Sequence, residues 1–232
     1  MTRSPAPKSS PAPRVAGRCG RPPRKLAGEV DERILEAARK VFLERGFEGA
    51  SVEEIAEAAR SGKPTIYARY PNKQALFAAA YTSALAARNA RLASHAPAGS
   101  TIEERLTRLG EALLIEVLTS EWIGLMRLAI AEARRFPDLG ISVLKITRER
   151  GRETMARLLG EVAHAGDSGT LPEFDPEHCA TAAQYFVELI LLPMLMRALS
   201  GEDLKTLHTG ISPYITQRIA FFLAACRHGG LG

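Results

Sequence analysis

The stretch that decides the fold is residues 51–70, Ser-Val-Glu-Glu-Ile-Ala-Glu-Ala-Ala-Arg-Ser-Gly-Lys-Pro-Thr-Ile-Tyr-Ala-Arg-Tyr. Its first half predicts a short helix starting at Ser51, because a serine followed three positions later by a glutamate, Glu54, forms a capping box. The apolar side chains of this helix recur at helical spacing and are Val52, Ile55, Ala56 and Ala59. After a break at residues 60–62, the second half predicts another short helix from Lys63 to about Ala68.

Longer helices flank this pair. One runs from about Glu29 to Glu44 and ends at Gly46, which is suited to a helix C-cap. The other starts after Asn72, a good N-cap, and runs toward Arg91. Two short helices joined by a tight turn beside a longer helix are typical of a tri-helical DNA-binding unit, whose second short helix enters the major groove. On the pattern alone, the corner of a helical bundle is an equally good interpretation.

Basic and aromatic side chains cluster around the second short helix. They are Lys63, Thr65, Tyr67, Arg69, Tyr70 and Lys73. Such groups can bond to phosphates and base edges, so these residues are the candidate DNA-contacting set.

Several runs in this region carry a resemblance to a known family. Residues 33–38 (Arg-Ile-Leu-Glu-Ala-Ala), 41–47 (Val-Phe-Leu-Glu-Arg-Gly-Phe) and 50–56 (Ala-Ser-Val-Glu-Glu-Ile-Ala) resemble the DNA-binding domain of the tetracycline-repressor (TetR) family. Residues 63–70 and 72–77 continue the match without a gap, so that it covers Asp31–Tyr81. The resemblance implies an all-α homodimer with an N-terminal helix-turn-helix. Such a protein represses transcription from double-stranded operator DNA until a small ligand binds its C-terminal helical domain.

The resemblance also assigns roles to the candidate residues. It implies that Lys63, Thr65 and Tyr67 meet bases or adjacent phosphates. Three further residues would anchor to phosphate without determining sequence: Ser51, Tyr70 and Lys73. Arg69 either joins this set or is an ordinary solvated side chain.

The chain departs from the family in the turn before the second short helix. Where the family usually has Ala-Gly-Val-Ser, this chain has Ala59-Arg60-Ser61-Gly62. We expect Arg60 to occupy a position that favours positive φ, at a cost of about 1 kcal/mol, and Gly62 to be a weaker cap than serine. Alternatively, Ser61 caps the helix and shifts its start by one residue. In the first case, a softer turn and weaker DNA binding are expected.

The positive charge of the chain is concentrated at its start. The formal net charge is +5, and seven basic residues from Arg3 to Lys25 precede the first acidic residue, Glu29, so the excess belongs to this part of the chain. Residues 1–28 also hold a surplus of Pro and Ser without hydrophobic periodicity, and are predicted to form a disordered basic arm. Arg21 and Arg24 could enter a minor groove, or the arm could add only non-specific phosphate attraction. The second proline of Pro22-Pro23 favours the latter interpretation.

The rest of the chain predicts two helical domains. Residues 29–94 form the predicted DNA-binding domain, and residues 101–228 form a C-terminal regulatory and dimerisation domain. Helices in the latter are expected at about Ile102–Thr119, Glu121–Arg135, Leu139–His164, Pro176–Leu199 and Pro213–Cys226, the last with Ser212 as its cap. Ala165–Asp175 predicts a loop. Residues 128–139 resemble the C-terminal domain of one regulator subgroup of the family.

The helix at Pro176–Leu199 is apolar nearly all round and so needs burial on every side. The family uses its last two helices for a four-helix dimer interface, which this helix and Pro213–Cys226 would form. Pro193 is expected to kink the former.

A pocket for a small apolar or amphipathic ligand is predicted among aromatic and apolar residues of this domain. They are Trp122, Met126, Ile130, Phe174, Tyr185, Phe186 and Leu189. The alternative interpretation of the same residues is plain hydrophobic core.

Other protein classes find little support in the sequence. The only dense cluster of functional groups, Glu177-His178-Cys179, diverges around a helix and is no catalytic dyad. Cys19, Cys179 and Cys226 lack metal or disulfide spacing, so that no enzyme activity, metal or cofactor is predicted. The run Leu189–Met196 is too short to span a bilayer, and a cytoplasmic protein is expected. A helical ligand-binding or interaction protein with a weakened DNA-binding motif remains the alternative.

Overall fold

The computed structural model describes residues 24–95, 99–164 and 178–227, with side chains from Gly28 onward. This part of the chain is all-α, without a β-strand. Its α-helices are α1 (Arg24–Gly49), α2 (Val52–Ala58), α3 (Lys63–Tyr67), α4 (Lys73–Ala93), α5 (Ile102–Val117), α6 (Ser120–Glu132), α7 (Pro137–His164), α8 (Cys179–Phe186), α9 (Leu192–Leu199), α10 (Leu204–Thr209) and α11 (Ile211–Arg227). The predicted fold class is confirmed. The division at the loop between α4 and α5 stays a prediction, as does the loop Ala165–Asp175, which lies outside the described residues.

An aromatic cluster holds the N-terminal helices together. The ring of Phe42 lies 5.8 Å from that of Phe47 and 5.2 Å from that of Phe77, which brings α1 against α4. Gly46 lies between the two α1 phenylalanines with φ 74°, so the regular helix is interrupted where the sequence predicted its end. The left-handed backbone at Gly46 lets the chain fold Phe47 back onto the cluster.

Three predicted boundaries were wrong. First, α1 begins at Arg24 rather than at Glu29, so the last five positions of the predicted disordered arm are helical. Pro22 and Pro23 directly precede this start, and no further proline interrupts the sequence before Pro64, so a helix can begin at Arg24.

The other two errors concern the C-terminus. Helix α10, capped by Asp203, was not predicted, and α11 begins at Ile211 rather than at Pro213 with Ser212 as its cap. The backbone N–H of Tyr214 donates to Gly210 O over 3.2 Å. Pro213 thus lies within the first helical turn, where its missing N–H leaves no intrahelical bond unmade.

The C-terminal helices form one continuous core with the N-terminal ones. Helix α4 packs against α1, α5 and α7, α7 packs against α8, and α5 packs against α11. At the α5–α11 contact, a Cβ added to Gly110 would lie 3.0 Å from Ile215 Cδ1, a tight contact that shows how closely the two helices approach. Helix α4 therefore belongs to both halves of the molecule and joins them.

A π-helical turn at Val187–Leu191 separates α8 from α9 and follows from Pro193. Pro193 has no N–H to donate to the carbonyl four residues earlier, that of Leu189. The hydroxyl of Tyr214 on α11 lies 3.3 Å from Leu189 O and 3.0 Å from Ile190 O, and donates to these carbonyls instead. The irregularity expected at Pro193 thus takes the form of a π turn stabilised by a neighbouring helix.

A second contact between the two halves runs between α6 and α1. A Cβ added to Gly124 would lie only 2.6 Å from Leu43 Cδ2, which shows how closely the two helices approach. Arg39 Nε donates to Glu121 Oε1 over 3.1 Å across the same contact. After α6, the ring of Phe136 lies 5.6 Å from that of Phe47. Helices α4 and α6 therefore both connect the C-terminal body to the N-terminal helices α1–α3.

The continuous helical stretch Cys179–Leu199 resembles a membrane span in length and hydropathy. Among the described helices it is the one long and apolar enough to cross a bilayer, with a mean hydropathy of 1.5. The shorter run Leu189–Met196, too short to span a bilayer by itself, lies within this stretch. However, 39% of its most apolar window is buried inside the protein, and a core helix passes the same test of length and composition.

Candidate nucleic-acid interface and ligand site

Helices α2 and α3 pack as a helix-turn-helix. Ile66 on α3 is buried against the core to which Ile55 and Ala56 of α2 also belong. Lys63 and Tyr67, one turn apart on α3, are both exposed. The tyrosine ring retains 49% of its accessible surface, a large value for an aromatic side chain. The short helix thus presents a cation and an aromatic ring to solvent on the side away from the core.

The turn between α2 and α3 has the geometry predicted for its unusual sequence. Arg60 has φ 49° and is the one described non-glycine residue with positive φ. Its N–H donates to Glu57 O over 3.0 Å, and the Ser61 N–H donates to Ala56 O over 2.9 Å. These two bonds define a Schellman motif, which places Arg60 where glycine is normally found. The positive φ expected at Arg60 is confirmed.

Gly62 is the N-cap of α3 and supplies no side-chain hydrogen bond. The expectation of a weak cap is therefore confirmed, and the alternative in which Ser61 shifts the helix start is not what the chain adopts. At the other end of the motif, Ser51 caps α2 and its Oγ accepts from Glu54 N over 3.1 Å. The reciprocal half of the predicted capping box is absent, because the Glu54 carboxylate accepts from Arg45 Nε over 3.0 Å.

Two predicted DNA-contacting cations are held by the protein itself. Arg69 pairs with Asp31 on α1 and also donates from Nη1 to Thr65 O over 3.1 Å. Lys73 Nζ donates to Glu48 O and to Ala50 O, each over 3.2 Å, and lies 4.8 Å from the centre of the Phe47 ring. The Arg69 side chain thereby holds α3 against α1, and the Lys73 side chain holds the start of α4 against the end of α1.

The remaining candidates differ in their availability. Lys63 is exposed but pairs with Glu53, and this hydrogen bond is the main reason that the pKa of Glu53 lies below its usual value. Thr65 is half-buried. Tyr70 is half-buried too, and burial, followed by the nearby Asp31 carboxylate, raises its pKa so that the hydroxyl stays protonated. Arg24 is the first residue of α1, and Arg21 lies outside the described residues.

The predicted ligand residues fall into separate environments. Trp122 and Met126 on α6 are buried, and Phe186 is buried against Phe222, with ring centres 5.4 Å apart. Leu189 is half-buried in the π turn. The side chains of Ile130 and Tyr185 remain exposed by 48% and 46%. Phe174 lies outside the described residues.

The surroundings of Trp122 contain polar groups that sequence reasoning missed. Its ring lies 4.9 Å from the ring of Tyr81 and 4.2 Å from the guanidinium carbon of Arg88, both on α4. The hydroxyl oxygens of Tyr81 and Thr147 are 3.1 Å apart. No local pattern could have revealed this cluster, because its members come from three helices that are distant in sequence.

Comparison with known proteins agrees with this architecture. Residues 34–80 match the tetR family of bacterial regulatory proteins, and residues 104–227 match the C-terminal domain of AefR-like transcriptional repressors. An uncharacterised HTH-type transcriptional regulator of Mycobacterium bovis is 28% identical over 106 residues, which are 46% of this chain and 49% of that protein. The chain thus spans about half the length of this curated relative. YhgD of Bacillus subtilis, another uncharacterised HTH-type transcriptional regulator, is 25% identical over 145 residues, covering 62% of this chain and 73% of that protein.

Solved structures share this fold over most of the chain. A TetR-family transcriptional regulator from Mesorhizobium loti superposes with a TM-score of 0.68 at 23% identity, covering 86% of this chain and 97% of the other. The flavonoid-responsive regulator FrrA superposes with a TM-score of 0.62 at 28% identity, covering 85% and 97%. The two family matches lie on either side of the loop between α4 and α5, and the second alone covers more than half of the sequence. The chain belongs to the tetR family of bacterial regulatory proteins.

Proposed function

We propose that this protein is a homodimeric transcription repressor that binds a palindromic DNA operator and is released from it by a small-molecule ligand. The observation that carries the proposal is the exposed side of α3. There Lys63 and Tyr67 project from a short helix that Ile66 anchors in the core. Such a helix can enter the major groove without unfolding any part of the unit.

The contacts to DNA divide into two groups. We assign Lys63, Thr65 and Tyr67 to bases and adjacent phosphates. Ser51, Tyr70, Lys73 and the arm residues Arg21 and Arg24 are assigned to the sugar–phosphate backbone. Arg69 acts indirectly, since its ion pair with Asp31 holds α3 against α1. Phosphate would compete with Glu53 for Lys63, and this exchange of partners costs little at an exposed pair.

Dimerisation follows from the small size of α3 and from the apolar surface elsewhere. One helix of five residues offers few base contacts, whereas two copies placed a helical turn of DNA apart would match a palindrome. Large apolar side chains are exposed on the two helices predicted to form the dimer interface. They are Leu192 and Met196 on α9 and Phe221 on α11. A second copy of the chain would cover them.

A ligand in the C-terminal body could act on α3 through α4 and α6. Helix α4 follows α3 directly and continues into the body, and α6 contacts α1 through Gly124 and Glu121. The similarity to the flavonoid-responsive regulator FrrA supports a response to a small molecule. Movement of either helix would change the spacing of the two α3 helices in a dimer.

The test is a fluorescence-anisotropy titration of the full chain against DNA from the region upstream of its own gene, at several salt concentrations. We expect binding about 10³-fold tighter than to random DNA. Tyr67→Ala is expected to weaken specific binding by about tenfold or more, and Lys63→Ala to reduce the salt dependence by about one phosphate contact. Lys205→Ala, which removes an exposed lysine from α10, is the matched control and should bind like the parent chain. Lys73→Ala is less suitable, because it also removes hydrogen bonds to α1.

The second candidate function is a helical ligand-binding protein with a weakened DNA-binding motif. The observation that favours it is the strained turn at Arg60. Equal affinity for upstream and random DNA, unchanged in Tyr67→Ala, would support this alternative and contradict the proposed repressor.

A further inference from the structure

Arg88 is a buried cation in the middle of the molecule. Its side chain belongs to α4, and the residue retains only 7% of its accessible surface. Nε and Nη2 both donate to one oxygen, Asn89 Oδ1, over 3.3 and 2.9 Å. Since a guanidinium carries five N–H donors, this single neutral acceptor leaves most of its hydrogen-bonding capacity unused within the described structure.

The charges around Arg88 do not balance. Glu116 on α5 is the nearby carboxylate, and it already accepts from Arg91 Nε over 2.8 Å. The described part of the chain contains no ion pair with Arg88, so two arginines share one glutamate. Burial lowers the pKa of Arg88 to about 10, which still leaves the group charged at neutral pH. A buried charge without a counterion is costly, and proteins retain it chiefly where it has a function.

Apolar and aromatic groups surround this charge. The face of the guanidinium lies on the ring of Trp122, which is itself packed against the ring of Tyr81, and both rings are buried. The Tyr81 and Thr147 hydroxyls meet beside these rings. A molecule that approaches Arg88 therefore meets one positive charge, planar apolar walls and hydroxyl groups.

We propose that Arg88 is the anion-binding group of the ligand site, and that the ligand is an organic carboxylate with an apolar body. This inference rests on the proposed ligand-regulated function and specifies its ligand class. A carboxylate suits the planar fork of a guanidinium, which it can engage with two parallel hydrogen bonds. A phosphate ester carries up to about two negative charges, whereas only one positive charge is uncompensated here.

The position of Arg88 links ligand and DNA. Lys73 and Arg88 lie at the start and in the body of the same helix, about 22 Å apart along its axis. Trp122 lies on α6, two residues from Gly124 at the contact with α1. An anion held by Arg88 against Trp122 would thus touch both helices that reach the DNA-binding unit.

The test uses Trp122, the only tryptophan of the chain, as its reporter. The full-length protein is titrated with benzoate, phenylacetate, 1-naphthoate and octanoate, and with the corresponding uncharged amides, while tryptophan emission is recorded. At least one carboxylate should change the emission saturably, with an affinity at least tenfold higher than that of its amide. This readout needs no DNA, so it fails or succeeds independently of the repressor proposal.

Variants separate binding at Arg88 from a structural role. Arg88→Gln should abolish the carboxylate response, whereas Glu116→Gln, which removes the shared carboxylate, should strengthen it severalfold. Arg108→Gln on the exposed side of α5 is the matched control and should leave it unchanged. Glu116→Gln keeps the test decisive even if Arg88→Gln does not fold. The proposal is overturned by equal responses to acids and amides, by no response to any probe, or by a response that neither Arg88→Gln nor Glu116→Gln alters.

Discussion

The regular part of α1 and helix α2 both end at a residue with positive φ, and the two positions hold different residue types. At the end of the regular part of α1, Gly46 has φ 74°, and at the end of α2, Arg60 has φ 49°. Glycine adopts this region without steric cost, whereas a residue with a Cβ pays about 1 kcal/mol or more. The turn at Gly46 is therefore unstrained. The turn at Arg60 is strained, and it directly precedes α3, the helix that we propose to contact DNA.

The difference between the two turns suggests a function for the strained turn at Arg60. Arg60 is exposed and adds a cation beside the start of α3, which a glycine could not do. Strain of this size is commonly retained at functional sites. We therefore expect an added Cβ at Gly46 to destabilise the protein and removal of the Cβ at Arg60 to stabilise it, and the following variants test this.

The largest effect is expected at Gly46. Gly46→Ala should lower the free energy of unfolding by about 1–2 kcal/mol, measured by urea denaturation. An added Cβ meets nothing within 4 Å, so any loss comes from the backbone conformation and not from a clash. Gly151→Ala is the control, because Gly151 lies inside α7 with equally free space around it. That change should stabilise by about 0.5–1 kcal/mol, and equal responses of the two variants would refute the explanation.

The next effect is expected at Arg60. Arg60→Gly should raise the free energy of unfolding by about 1 kcal/mol, because the left-handed conformation no longer carries a Cβ. Arg152→Gly, on the exposed side of α7, should lower it by about 1 kcal/mol, since glycine is a poor helix former. DNA affinity of Arg60→Gly, measured by anisotropy, should fall despite the gain in stability. Tighter DNA binding by this variant would show that the turn merely weakens the motif.

The smallest effect concerns the two N-caps of the motif. Gly62→Ser should stabilise the protein by about 0.3 kcal/mol by supplying the cap that α3 lacks. The added Cβ would lie 3.6 Å from Pro64 Cδ, an ordinary contact. Ser51→Gly should cost about the same amount at the start of α2, where the serine cap exists. The comparison fails if Gly62→Ser is destabilising, since a serine would then not fit the cap geometry.

Local chemistry explains why much of the motif was predictable. The strain at Arg60, the end of the regular helix at Gly46 and the caps at Asn72 and Gly62 all follow from residues within a few positions of each other. Two short-range signals were missed or misleading: Asp203, which caps α10, and Ser212-Pro213, which suggested a helix start after the actual start of α11 at Ile211. The sequence around α10 offered no long apolar pattern, and the start of α1 carried no capping residue.

The unpredicted parts of the site depend on distant contacts. Arg69 pairs with Asp31, which lies 38 positions earlier in the sequence, and Lys73 donates to a carbonyl group at the end of α1. The positive charges of Arg69 and Lys73 suggested contacts to DNA. The fold shows that protein oxygens already accept hydrogen bonds from both side chains. Arg88 was missed for the same reason, because its significance lies in its burial on Trp122 and in the pairing of Glu116 with Arg91.

The contact at Gly124 has a mechanical consequence. Because an added Cβ would lie only 2.6 Å from Leu43 Cδ2, the backbone of α6 at Gly124 is in contact with a side chain of α1. A displacement of α6 toward α1 has no gap to close, so it must either move the Leu43 side chain or displace α1. The missing side chain at Gly124 thus determines how a movement of α6 reaches α1.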